Sequence, residues 1–347
     1  MKIKIGNRWV GDGEPVFTVA EISCNHLQKK TYALKLIEEA KKAGADAVKF
    51  QTYTPDTMTI KCDNDYFRIK GTIWEGKTLY DLYKEAYTPW DWFPQLKDKA
   101  KEEGLVFFST PFDETAVDFL EKLKVPVYKI ASFEINHIPL IRYIAKKKKP
   151  VILSTGVAEL EDIKLALKTI RGEGNNQIAL LKCTSAYPAP LNEMNLKTIA
   201  DMRNRFKVIP GLSDHSMGIV APVVAVALGA KIIEKHFILR RSDGGPDAKF
   251  SLEPHEFKNM VKNVRDAEQV IGDVTYKLSS GIKKHLFFRR SIFTTKPIKK
   301  GEKFTRNNIK VIRPGYGLHP KYYLKSLGKR AVIDLPYGMP LKLKHIK

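Results

Sequence analysis

Short apolar runs recur through the first 276 residues, each separated from the next by a stretch of mixed polarity. They fall at Phe17–Ile22, Ala47–Gln51, Val106–Ser109, Val127–Ile130, Val151–Ser154, Ile178–Cys183, Val208–Leu212 and Ile232–Phe237. Runs this short, apolar or β-branched and without polar alternation, predict strands buried on both faces. The intervening segments carry apolar residues at helical spacing. In Thr31–Ala43 these are Ala33, Leu34, Ile37 and Ala40. Asp113–Leu123, Leu160–Ile170 and His255–Ile271 read the same way. Eight strands alternating with roughly eight helices predict an α/β fold, a TIM (β/α)8 barrel of the usual ~250 residues. A doubly wound sheet is the alternative. No G-x-G-x-x-G follows the first strand, and a count of eight favours closure.

Several segments depart from this alternation. Lys2–Val10, with Gly6-Asn7 at its centre, reads as a hairpin able to plug the barrel bottom. Tyr53–Pro89 is too long for a βα loop and rich in aromatic and charged residues, which suits a lid. Ile219–Ala230 is the longest apolar run. It contains Pro222 and is too short to span a bilayer, so it predicts a buried helix. Beyond residue 276 the pattern changes to short β-branched runs punctuated by Pro and Gly. The expected organisation is a barrel over 1–276, a polar linker over 277–286 and a small β-rich module over 287–347.

Composition adds one surprise. Apolar residues make up 43% of the chain, enough for a large core, but the net charge is +22. From Lys277 to Lys347 there are 19 basic and 2 acidic residues. A nucleic-acid surface, a solvated basic face and a cover for an anionic active site all fit that asymmetry. Aromatic stacking patterns and nucleic-acid motifs are missing from the segment, so no nucleic-acid partner is expected. Three widely spaced cysteines, Cys24, Cys62 and Cys183, exclude a disulfide scaffold. The N-terminus shows no apolar signal core, and no membrane association is expected. A cytoplasmic setting follows.

In a barrel, chemistry belongs at the C-terminal strand ends. Those positions are polar in all eight runs: Glu21; Lys49 and Gln51; Ser109 and Thr110; Lys129, then Ser132 and Glu134; Ser154; Thr184, Ser185 and Tyr187; Ser213, Asp214 and His215; Glu234, Lys235 and His236. Lys49 and Lys129 offer fixed cations. Thr110, Ser132, Ser154 and Ser213 offer short donors, a set suited to a phosphate and a carboxylate. Either lysine could instead form a structural ion pair or a Schiff base, the latter making the chain an aldolase. His215 and His236 end adjacent strands and could share a divalent first-row metal. Glu134 and Glu21 are candidates for proton transfer. Cys183, inside a strand, reads as a small hydrophobe.

These segments together resemble the sialic acid synthase family over essentially the full length. The resemblance is carried by Lys49-Phe50-Gln51-Thr52, Phe108-Ser109-Thr110-Pro111-Phe112, Tyr128-Lys129-Ile130-Ala131-Ser132, Gly211-Leu212-Ser213-Asp214-His215 and Ile233-Glu234-Lys235-His236-Phe237. Arg313-Pro314-Gly315 lies in what resembles that family's antifreeze-like (SAF) domain. Within the family, Thr78–Tyr83, Tyr87–Trp90, Ser242–Asp247 and Arg313–Tyr322 are most similar to the pseudaminic acid synthases. The alternative is an N-acetylneuraminate or legionaminate synthase. The resemblance implies condensation of phosphoenolpyruvate with an amino sugar, assisted by a divalent ion, Mn or Mg, on His215 and His236. It implies phosphoenolpyruvate contacts at Lys49, Thr110, Lys129, Ser132, Ser154 and Ser213. It implies sugar contacts at Gln51, Tyr187, Asp247 and Arg313. Finally, it implies a domain-swapped homodimer in which Arg313 serves the partner's site.

Overall fold

A computed structural model describes all residues from Met1 to Lys347. The chain divides into two compact units, Met1–Gly272 and Asp273–Lys347. The first opens with an antiparallel hairpin, β1 (Lys2–Ile5) and β2 (Arg8–Gly11), turning at Gly6-Asn7. Eight parallel strands follow: β3 (Phe17–Glu21), β4 (Ala47–Thr52), β5 (Val106–Pro111), β6 (Tyr128–Ile130), β7 (Val151–Ser154), β8 (Ile178–Cys183), β9 (Ile209–Asp214) and β10 (Ile232–His236). They run in sequence order around a closed barrel, with β10 pairing back to β3. This is the TIM barrel expected from the runs.

The barrel strands are buried on both faces, and alternate residues serve different cores. Val19, Ala47, Phe108, Ile152, Leu181 and Ile209 turn inward and pack on the hairpin's Ile3, Ile5 and Val10. The hairpin thus plugs the lower end. Val48, Phe50, Leu153, Leu180 and Ile233 turn outward against helical residues such as Leu36, Leu140 and Leu167. A one-residue slip would exchange the two sets. It would drive Lys49 and Lys129 among apolar helices, at a cost far above the ~1.5–3 kcal/mol of one buried Leu.

The alternation corrects the sequence reading of the strand ends, because only every second polar residue faces the lumen. Asp214 and Lys235 point outward and pair at 2.6 Å, both side chains fully buried. Ser109 likewise turns away and bonds Thr52 at 2.7 Å. A second correction concerns the apolar run at Ile219–Ala230. Its helix, Val220–Ala227, buries Ala221 and Ala225 but leaves Val220 62% and Val224 41% exposed. No helix is long and apolar enough to cross a membrane.

The 53–89 insertion is folded: a turn of helix at Pro55–Met58, a bridge between Arg68 and Thr78, and a helix at Leu79–Ala86. Thr78 caps that helix by accepting from the Asp81 N–H at 3.1 Å. The loop after β3 anchors the insertion's base. His26 Nε2 lies 3.0 Å from Thr88 Oγ1, and Gln28 donates to the carbonyls of Glu85 and Tyr87.

The second unit begins with exposed residues, and the expected polar linker holds a helical turn at Ser280–Lys283 and the start of another at Lys284–Phe288. Its centre is a two-stranded antiparallel sheet, β11 (Ser291–Thr294) with β12 (Ile309–Ile312), extended by isolated bridges. Ile292, Ile298, Phe304, Ile309, Leu335 and Leu341 form its core. At Gly317 the chain passes so close to strand β11 that a Cβ would meet Ile292 O at 2.3 Å. Arg313 is exposed, one residue past the end of β12.

Candidate active site

The C-terminal ends of the barrel strands open into a cavity of about 380 Å³. Eleven of the expected site residues line it: Lys49, Gln51, Lys129, Ser132, Glu134, Ser154, Tyr187, Ser213, His215, His236 and Asp247. Glu21 and Thr110 lie buried just beneath, each against Lys49. Arg313 belongs to the second unit.

The floor is an ion-pair network. Lys49 pairs with Glu21 and sits 3.7 Å from Glu234 Oε1 and 3.4 Å from Thr110 Oγ1. Lys129 reaches the same Glu234 oxygen at 3.1 Å, and Ser213 donates to it at 3.0 Å. Burial works against both ammonium groups. In Lys49 the two glutamates outweigh it and the pKa rises. In Lys129 burial prevails, with Lys49 adding to it, and the pKa falls. Burial alone would raise Glu234, but the two lysines bring it down to about 2. The lysines are therefore not free cations; they share a carboxylate that the sequence reading had not singled out. An inward glutamate flanked by outward Ile233 and Lys235 is recognisable only once strand phase is known.

Short polar groups stand beside this floor. Ser154 Oγ is buried with no partner. Ser132 Oγ accepts from the Gly156 N–H at 3.0 Å. A Cβ there would meet Ser185 Oγ at 1.9 Å and Ser132 Oγ at 2.8 Å, so any larger residue would have to displace these hydroxyls. Glu134, at the end of a helical turn after β6, has a buried carboxylate oxygen without a partner. Loss of hydration pushes it up to about 7, with Lys129 opposing.

The opposite wall carries the two imidazoles, with ring centroids 5.2 Å apart. His215 Nδ1 lies 3.2 Å from the Thr184 carbonyl, and His236 Nδ1 lies 3.3 Å from Asp247 Oδ2. His215 thus turns Nδ1 to an acceptor, as metal-bound histidines held from behind do, whereas His236 Nδ1 lies near Asp247 but makes no hydrogen bond. Burial, reinforced by His215, pushes His236 well below its usual pKa and keeps it neutral. No third His, Cys, Asp or Glu stands close enough to complete a protein-only metal cage. The pair therefore fits an open metal site, with its other positions left to water and substrate oxygens. Asn25 supports this wall: it donates to Ser251 Oγ at 2.8 Å, which donates to the Asp247 carbonyl at 2.7 Å. Cys183, read as a small hydrophobe, instead touches polar groups: its Sγ is 3.7 Å from His215 Nδ1 and from Ser185 Oγ.

The insertion closes the outer side. Trp74 donates through Nε1 to the Pro246 carbonyl at 3.0 Å and packs at a tilt of 52° against Tyr187, rings 5.3 Å apart. Tyr187 in turn packs on His215 and Phe250.

A closed (β/α)8 barrel whose mouth gathers two buried lysines, two glutamates and an imidazole pair has the layout of a TIM-barrel enzyme. The NeuB family model matches residues 36–276 and the SAF domain model residues 289–347, so the chain belongs to the NeuB family. It is 47% identical to the pseudaminic acid synthase of Campylobacter jejuni, over 98% of each chain. The N,N'-diacetyllegionaminic acid synthase of Legionella pneumophila is more distant, at 36% over 97% of this chain and 96% of that one. Among solved structures, spore coat polysaccharide biosynthesis protein SpsE of Bacillus subtilis superposes with TM-score 0.69 at 39% identity, covering 100% of this chain and 99% of that one.

Proposed function

We propose that this chain condenses phosphoenolpyruvate with 2,4-diacetamido-2,4,6-trideoxy-L-altrose, giving pseudaminic acid and inorganic phosphate. One observation carries the reading: two buried lysines, an unpartnered serine and an imidazole pair converge in a chain 47% identical to a pseudaminic acid synthase. The lower identity to the legionaminic acid synthase, 36%, supports this choice of sugar.

Lys129 and Lys49 would hold the phosphate and carboxylate of phosphoenolpyruvate, aided by Thr110, Ser132, Ser154 and Ser213. An ammonium has three protons to donate. Lys49 directs its protons at Glu21, Glu234 and Thr110, whereas Lys129 contacts Glu234 alone. Lys129 is therefore the freer donor to an arriving anion. A divalent ion, Mn or Mg, held by His215 and His236 would act as a Lewis acid on the open-chain aldehyde.

The residues also account for the protons. The enol C3 attacks the aldehyde carbon, a C–C bond forms, and the aldehyde oxygen takes up negative charge. Glu134, held partly protonated near neutrality, gives it a proton. C2 is left electron-poor, and water adds there. The Glu134 carboxylate now takes the proton that water sheds. The resulting hemiketal phosphate collapses with cleavage of the C2–O bond, and phosphate leaves. Glu21 acts by holding Lys49, and Gln51, Tyr187 and Asp247 flank the sugar.

This route fixes the fate of one oxygen. With phosphoenolpyruvate labelled at the bridging oxygen, mass analysis will find the label in inorganic phosphate. Label retained in the sugar acid overturns the route.

The resemblance to the family also supports a homodimer in which Arg313 reaches the sugar bound by a partner copy. Losing such a charged hydrogen-bond donor should raise the sugar KM about 10- to 100-fold in Arg313→Ala, with the phosphoenolpyruvate KM unchanged. Mixing Arg313→Ala with His236→Ala should then raise activity at limiting sugar above that of the two parents, since one hybrid site has both residues. A mixture that, at limiting sugar and after confirmed subunit exchange, is no more active than its two parents together rejects the shared site.

A further inference from the structure

We infer that Phe250 is a positioning residue for the proposed metal site: its ring, tied to the end of β10, sets the orientation of the His236 imidazole. The inference rests on the assignment of a divalent ion to His215 and His236.

The two imidazoles are held differently. His215 has a partner behind it, the Thr184 carbonyl at 3.2 Å from Nδ1. His236 Nδ1 is buried and makes no hydrogen bond. The torsion that turns an imidazole about its stem has broad minima, so the side chain's own sterics leave the ring loosely set. Metal-binding histidines are ordinarily fixed by a hydrogen bond from behind. At His236 the same task falls to packing.

The ring packed there is Phe250. Its centroid lies 4.9 Å from that of His236, edge to face at 69°, and 5.8 Å from that of His215, at 85°. Edge-to-face contacts are directional, so turning either ring weakens them. The other ring beside His236 is His215 itself, 5.2 Å away and steadied in turn by Tyr187 at 4.7 Å.

Phe250 has little room to move. It is 1% exposed and ends the helical turn Ala248–Phe250. Next to it, Ser251 Oγ accepts from Asn25 at 2.8 Å and donates to the Asp247 carbonyl at 2.7 Å. One residue further, the Leu252 N–H donates to the His236 carbonyl at 2.8 Å. The ring that orients the imidazole is thus stitched to the same strand end as the imidazole. Phe250 stands outside the cavity lining. It acts on the ion through His236 and does not touch substrate.

The test is calorimetric titration of metal-stripped, full-length enzyme with Mn, for wild type, Phe250→Leu, Phe250→Met and Phe257→Leu. Leucine and methionine stay apolar and fill most of the space but present no ring edge. The unbranched methionine adapts to the gap and covers a failure of Phe250→Leu to fold. Each Phe250 variant should bind Mn about tenfold more weakly, as when a residue supporting a metal ligand is lost. Phosphoenolpyruvate affinity, measured without metal, should stay as in wild type. Phe257→Leu is the control for general loosening: it removes an equally buried ring, which packs edge-on to Phe237 at 5.4 Å in the core outside the barrel. It should lower the Tm and leave Mn affinity unchanged. Folded Phe250 variants that bind Mn as tightly as wild type overturn the inference. So does a Phe257→Leu enzyme that loses as much Mn affinity as they do. Wild-type enzyme that binds no Mn overturns the metal assignment itself, and the inference with it.

Discussion

Glu134→Gln will lower kcat by about 10²- to 10⁴-fold, the usual share of a general acid–base group, with phosphoenolpyruvate binding little changed. The carboxylate is buried, has an unpartnered oxygen, and is held up to about 7 by lost hydration. A group in that position can give and take a proton at neutral pH; an amide cannot. In the wild-type enzyme, kcat for the first proton transfer should fall as pH rises through about 7, where Glu134 loses its proton. Glu134→Gln should lose that limb of the profile. Stability supplies an independent check. Because the folded state raises the pKa, it binds the proton more tightly than the unfolded chain does. Stability therefore falls as pH rises from the ordinary carboxylate range to about 7. Thermal melts should show Glu134→Gln gaining on wild type at pH 8 and losing that advantage toward pH 5. A variant with near-normal kcat, or one that keeps the alkaline limb, rules out the assignment.

His215→Ala and His236→Ala should each reduce condensation by about a hundredfold or more, since either removes half of the proposed protein ligands. Direct titration with Mn should show the corresponding loss of binding. Exhaustive chelation should abolish turnover and added Mn restore it. Full turnover by metal-stripped enzyme would falsify the metal assignment.

Much of this architecture is legible in the amino-acid sequence alone. The eight runs mark the strands to within a residue or two, because a barrel strand is buried on both faces and cannot hide in a polar pattern. The hairpin is legible from Gly6-Asn7, and the insertion from its length and aromatic content. The site's constituents are also legible, because folding alone gives no reason for polar residues at the ends of buried strands. The expectation of a buried helix at Ile219–Ala230 fails at Val220 and Val224. Apolarity reports what can be buried, and only the packing of neighbours reports what is.

What the chain by itself determined is therefore its architecture and its chemical vocabulary: a closed barrel, lysines, hydroxyls, carboxylates and two imidazoles at one end. Tertiary structure decided which of them meet. A strand with apolar residues on both faces does not announce which parity faces the lumen. Hence Glu234 and Ser213 could not be told from Lys235 and Asp214 until the barrel closed. Closure turned the first pair onto Lys129 and the second onto each other behind the strands. The insertion is the same case over a longer range. Trp74 meets Pro246 across 172 positions of chain, a contact set by packing and carried by no local pattern.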